Sequence, residues 1–153
     1  MFVPLQGQTG NFAGHTLVIP CTAVGLSPHI AMDLYFLNEG AVKIGYFDSL
    51  EIKPACSNDI LTLQGEQPGK ISMPAEFWQA GKMTFLAVRT GVVNLHNFCK
   101  EVVTFAQEKG FSNVVILTAT ISPVQRDRNS NRLIPNIYAY QNNYFFKSRS
   151  NYC

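Results

Sequence analysis

The chain has 153 residues, 46% of them apolar and only 14% charged, with 12 Lys and Arg against 10 Asp and Glu for a formal net charge of +2. That length predicts one domain with a core large enough to fold without disulfide or metal staples. Scattered basic residues give no footprint for nucleic acid or an anionic membrane. A charged fraction below the ~25% usual for soluble domains leaves surface for a protein partner.

Four cysteines, Cys21, Cys56, Cys99 and Cys153, form no CxxC pair, and no histidine stands at zinc-finger spacing from them. There is no Asn-x-Ser/Thr sequon, and Met1-Phe2-Val3-Pro4 has no basic n-region. These features predict a reducing cytosolic or nuclear setting, with Cys21 and Cys99 as buried thiols and no membrane span.

In chain order, residues 1–15 are a polar, Gly-rich lead-in. Leu17-Val18-Ile19 is short and continuously apolar, as a strand covered on both faces should be. Ser27 is a good N-cap and Pro28 suits a first helical turn. A helix is therefore expected to about Asn38, with Gly40 just past its end. It has an apolar stripe of Ile30, Leu34 and Leu37, while Met32, Tyr35 and Phe36 lie off that stripe. A helix apolar on more than one side is either sandwiched in the core or partly covered by a partner, and Met32, Tyr35 and Phe36 are the expected partner face. Val42 to Phe47 reads as the next strand.

Asp59 to Leu63 and Lys70 to Met73 flank the turn-rich link 64–69, predicting a hairpin or meander within 48–77. Met83 to Val88 is a second buried strand. Asn94 can cap a helix to Lys109 with Leu95, Phe98, Cys99, Val102, Val103 and Ala106 on one face, ended by Gly110. Val114-Val115-Ile116-Leu117 follows as a strand. Two strand–helix–strand units predict parallel crossovers in a three-layer α/β/α domain with a mostly parallel mixed sheet. Ile121 to Asn136 reads as a polar loop, and Ile137 to Tyr140 as a further strand. The α/β domain is thus expected over 1–140, with an atypical polar and aromatic tail over 141–153.

No catalytic constellation stands out. The turn from Cys21 to Ser27 contains one glycine and neither a GxGxxG nor a Walker lysine, so capping accounts for it better than phosphate binding. His15, His29 and His96 lack an accompanying GxSxG or HExxH. Asp33, Asp48, Asp59 and Asp127 lie on separate elements. Arg126 and Arg128 sit on a loop after a buried strand, at the sheet edge where α/β folds place ligands. An ordinary solvated loop is the alternative reading; as candidates they join the expected partner surface.

Several words occur in a telling order: Met1-Phe2-Val3-Pro4, Ala13-Gly14-His15-Thr16-Leu17, Ala31-Met32-Asp33-Leu34, Lys43-Ile44-Gly45-Tyr46-Phe47, Phe98-Cys99 and Gln125-Arg126. In that order and spacing, up to about Tyr140, the chain resembles the proteasome assembly chaperone family. The resemblance implies a fold related to nucleoside phosphorylases without their catalytic groups, no cofactor and no enzymatic activity. It implies a cytoplasmic and nuclear heterodimer with proteasome assembly chaperone 1 that binds proteasome α-subunits and promotes α-ring assembly. Family members run on well past this length, so C-terminal elements are expected to be lacking. The terminus Asn151-Tyr152-Cys153 has the next-to-last tyrosine of proteasome-docking tails, but Asn151 replaces their hydrophobic anchor. The alternative is a phosphorylase-like small-molecule-binding or hydrolytic α/β enzyme, with a pocket near Gly25, Arg89 and Arg126. It needs a converging acid, base or nucleophile set that the sequence does not supply.

Overall fold

The computed structural model describes residues 1–58 and 71–119. The strands are β1 (Phe2–Pro4), β2 (Thr16–Pro20), β3 (Val42–Phe47), β4 (Ser57–Asn58), β5 (Ile71–Ser72), β6 (Ala75–Ala80), β7 (Met83–Val88) and β8 (Asn113–Leu117), and the α-helices are α1 (Ser27–Glu39) and α2 (Leu95–Glu108). Six strands form one sheet in the order β1-β3-β6-β7-β2-β8, while β4 and β5 pair separately as the arms of a small hairpin. The expected strand over 59–63, the loop over 121–136, the strand over 137–140 and the boundary at 140/141 lie outside the described residues.

β2 pairs in parallel with β7 on one side and β8 on the other. β6 is antiparallel to both β7 and β3, and β1 is antiparallel to β3. β3 therefore runs in the direction of β2 but is not its neighbour. The β6–β7 hairpin separates them, closed by the two-residue turn Gly81-Lys82 with Gly81 at φ 54°. A left-handed first turn residue matches the twist of paired strands.

Alternation along the strands feeds two cores. Leu17, Phe77, Leu86 and Val88 face α2, and Val18, Trp78, Phe85 and Ala87 face α1. One helix covers each face, so the architecture is a three-layer α/β/α sandwich around a mixed sheet. The α2 side is an aromatic cluster. Phe77 meets Phe105 at 5.1 Å, and Phe12 meets Phe105 edge-on at 5.5 Å. On the α1 side Phe36 stacks on Trp78 at 4.9 Å and presents its edge to Phe85 at 5.1 Å. Such pairs contribute about 0.5–1.5 kcal/mol each beyond area burial.

α2 follows its sequence signals. The Asn94 side chain accepts the Asn97 amide at 3.2 Å, and Gly110 stands just beyond the helix at φ 70°. Its buried face is Phe98, Val102, Phe105 and Ala106. Leu95 and Cys99, expected in the core, are exposed, because Phe105 rotates the packed face toward Phe12, Phe47 and Phe77.

Among the described residues, the sheet holds one buried carboxylate, that of Glu76. Glu76 accepts from the Lys43 ammonium at 2.8 Å, the Met73 amide at 2.8 Å and the Trp78 indole at 3.1 Å. Lys43 also sits 5.2 Å from the Trp78 ring centroid. A buried carboxylate is tolerable only with partners of this kind. Gly45 admits β1, because a Cβ there would lie 2.4 Å from the Val3 carbonyl oxygen.

Candidate interaction face and strand-end site

α1 starts one residue earlier in the turn than expected. Leu26, not Ser27, is its N-cap, in the left-handed region at φ 52°, directly after Gly25 at φ 67°. That conformation is costly for a branched side chain. No side chain caps the helix start, and Pro28 stands in its first turn. Gly40, left-handed at φ 61°, ends the helix and donates its amide to the Phe36 carbonyl.

The two apolar sides of α1 are the reverse of the expectation. Met32 is 1% exposed and Phe36 4%, both in the core, so neither forms a partner surface. Tyr35 is half-buried, its hydroxyl donating to Met83 Sδ at 3.3 Å and its ring 5.1 Å from Phe85. The outward side is Ile30, Leu34 and Leu37, at 53%, 55% and 44% exposure, extended by exposed Leu26. Stripes 30/34/37 and 29/32/36 both have helical spacing. The second occupies the core because Phe36 can stack on Trp78 there. Arg126 and Arg128 lie outside the described residues.

The inward side of α1 is tied to the end of β7 by two polar contacts. Arg89 donates to both Asp33 carboxylate oxygens, at 2.6 and 3.2 Å. One turn earlier, His29 Nε2 lies 2.8 Å from the Val88 carbonyl oxygen and donates to it. His15 is placed elsewhere, with Nδ1 3.1 Å from Thr84 Oγ1. The expected pocket residues Gly25 and Arg89 therefore sit on the turn before α1 and at the end of β7. The contacts of Asp33 with Arg89 and of His29 with Val88 were not readable from the sequence. The i, i+4 spacing of His29 and Asp33 was the available signal, but nothing local connects it to Val88 and Arg89.

Cys21 continues β2, its amide bonded to the Leu117 carbonyl at 2.8 Å. Burial pushes its thiol up from the ordinary value, and the nearby Cys99 adds to the rise. Among the described residues, no group of three or more His, Cys, Asp or Glu is placed to hold a metal ion, and no helix is long and apolar enough to cross a membrane.

The sequence is similar to proteasome assembly chaperone 2 of Nematostella vectensis, 28% identical over 127 residues covering 78% of this chain and 52% of the relative. It is 27% identical to proteasome assembly chaperone 2 of Homo sapiens over 131 residues, covering 83% of this chain and 50% of the relative. The Bos taurus protein of the same name is 28% identical over 131 residues. The chain thus spans about half the length of the curated relatives it matches. The PAC2 family model matches residues 17–148. That match takes in both helices and, of the six strands of the sheet, all but β1 (with β2 entered at its second residue), and the chain belongs to the PAC2 family.

Proposed function

We infer that this chain acts without enzymatic chemistry as a proteasome assembly chaperone subunit, pairing with proteasome assembly chaperone 1 and engaging proteasome α-subunits to promote α-ring assembly. The observation that carries the reading is the outward side of α1. Leu26, Ile30, Leu34 and Leu37 leave four aliphatic side chains in water on one helix face. Each aliphatic side chain transferred to an interface is worth about 1.5–3 kcal/mol, and a helix presenting anchors at this spacing suits a complementary groove. The names of the relatives support the chaperone role, and the reducing setting predicted from the cysteines supports cytoplasm and nucleus as its location.

The test is co-expression with proteasome assembly chaperone 1. The wild-type chain should co-purify with it. The double variant Ile30→Glu/Leu34→Glu should retain its far-UV circular dichroism and lose the partner. Undiminished co-purification of a folded double variant refutes the assignment of the interface to α1.

A further inference from the structure

The topology brings two cysteines to one place. β2 lies between β7 and β8 in the sheet and runs parallel to both. α2 connects β7 to β8, so the crossover carries it over β2. The helix returns antiparallel to the strands, and its first turns therefore stand above their carboxyl ends.

Cys21 is at that end of β2. Its amide donates to the Leu117 carbonyl, so the ladder with β8 continues one residue past Pro20. Leu17 and Ile19 pack in the core on the α2 side, and Val18 in the core on the α1 side. Alternation thus turns Cys21 toward α2. Cys99 opens the second turn of α2, next to buried Phe98. Phe98 and Phe105 lean toward β3, where each meets Phe47. Cys99 lies on the opposite margin of the packed face, in line with Val103 and Ala106, on the side of β2 and β8. The electrostatics agree with this placement. Burial pushes the Cys21 thiol up, and Cys99 pushes it further, as a nearby like charge does.

The two thiols differ in access, Cys99 being exposed and Cys21 half-buried. Among the described residues no third His, Cys, Asp or Glu joins them, so the pair suits thiol–disulfide exchange better than a structural zinc, which takes four ligands. We propose that Cys21 and Cys99 form a reversible oxidation site that reacts with a low-molecular-weight disulfide and closes into an intramolecular disulfide. With oxidised glutathione, the exposed Cys99 thiolate attacks one sulfur. A Cys99–glutathione disulfide forms as the glutathione S–S bond breaks, and one glutathione thiolate leaves. Cys21, its proton released to solvent, then attacks Cys99 Sγ, and the second glutathione thiolate leaves. Two protein thiols lose two electrons and two protons, and one oxidised glutathione becomes two thiols. The bond ties the start of α2 to the end of β2. In a reducing compartment such a bond is transient and acts as a redox sensor.

The test places the full chain in glutathione buffers of graded oxidised-to-reduced ratio, with and without denaturing urea. Free thiols are then alkylated and the peptides mapped by mass without reduction. The expected product is a Cys21–Cys99 linked peptide pair that dithiothreitol removes. It should be half-formed in the native chain at a ratio about tenfold or more lower than in urea, because the fold has already closed the loop between them. Cys21→Ser should stop at the glutathione adduct of Cys99, and Cys56→Ser/Cys153→Ser should leave the linkage unchanged. If Cys21→Ser does not fold, the wild-type comparison decides alone. Absence of the Cys21–Cys99 peptide at every ratio, linkage of Cys99 mainly to Cys56 or Cys153, or a linkage formed as readily in urea overturns the proposal.

Discussion

Asp33 and Arg89 stand 56 residues apart in the chain yet form a two-bond ion pair at 2.6 and 3.2 Å, with side chains only 16% and 19% exposed. The pair anchors α1 to the end of β7. Asp33→Ala removes the carboxylate while the guanidinium stays mostly buried, and such half-removals cost more than the pair contributes. Urea denaturation should show a loss of about 2–4 kcal/mol for Asp33→Ala. Asp33→Ala/Arg89→Met should recover part of it. A double variant less stable than the sum of the two single losses contradicts the account.

Phe36 and Leu34 test the orientation of α1. Phe36→Ala opens a cavity beside Trp78 and Phe85 and should cost about 3–5 kcal/mol. Leu34→Ala changes an exposed position and should stay within about 0.5 kcal/mol. Comparable losses at the two positions would mean that the helix is rotated relative to this description.

Glu76 is held by Lys43, the Met73 amide and the Trp78 indole. Glu76→Ala leaves the buried indole donor and the lysine without the carboxylate, for an expected loss of about 3 kcal/mol. Trp78 is the sole tryptophan of the chain, so its fluorescence reads this site directly. Its emission should change in the folded variant, and an unchanged spectrum with wild-type stability refutes a structural role for the network.

Cys21 is half-buried with a raised thiol pKa, whereas Cys56 and Cys99 are exposed. Iodoacetamide followed by peptide mass mapping should label Cys56 and Cys99 well before Cys21. The raised value favours the neutral thiol in the folded state. Its stabilising effect is complete below the unfolded thiol value and is lost as pH rises through the folded one, so on the alkaline side Cys21→Ala should lose less stability with pH than wild type. Labelling of Cys21 first, or an identical alkaline decline, contradicts this.

Much of the fold was legible in short, well-punctuated words. Val42–Phe47 and Met83–Val88 are strands at the expected residues, and Asn94 caps α2 as expected. β6 was not separated from the meander expected over 48–77, although Gly81-Lys82 between two apolar segments was a hairpin signal. Its insertion is why β3 lies away from β2, a fact of long-range pairing that periodicity does not encode. The faces of α1 were reversed for a related reason. Both stripes satisfy helical spacing, and only the position of Trp78 across the sheet decides between them. The contacts of His29 and Asp33 with Val88 and Arg89 likewise depend on topology.

The central claim is that the outward side of α1 carries the partner. A photoreactive p-benzoylphenylalanine placed at Leu34, and separately at Val103 on α2, tests it in the co-expressed pair. The account predicts a crosslink to proteasome assembly chaperone 1 from position 34 and none from position 103. A crosslink from position 103 with none from position 34 contradicts it.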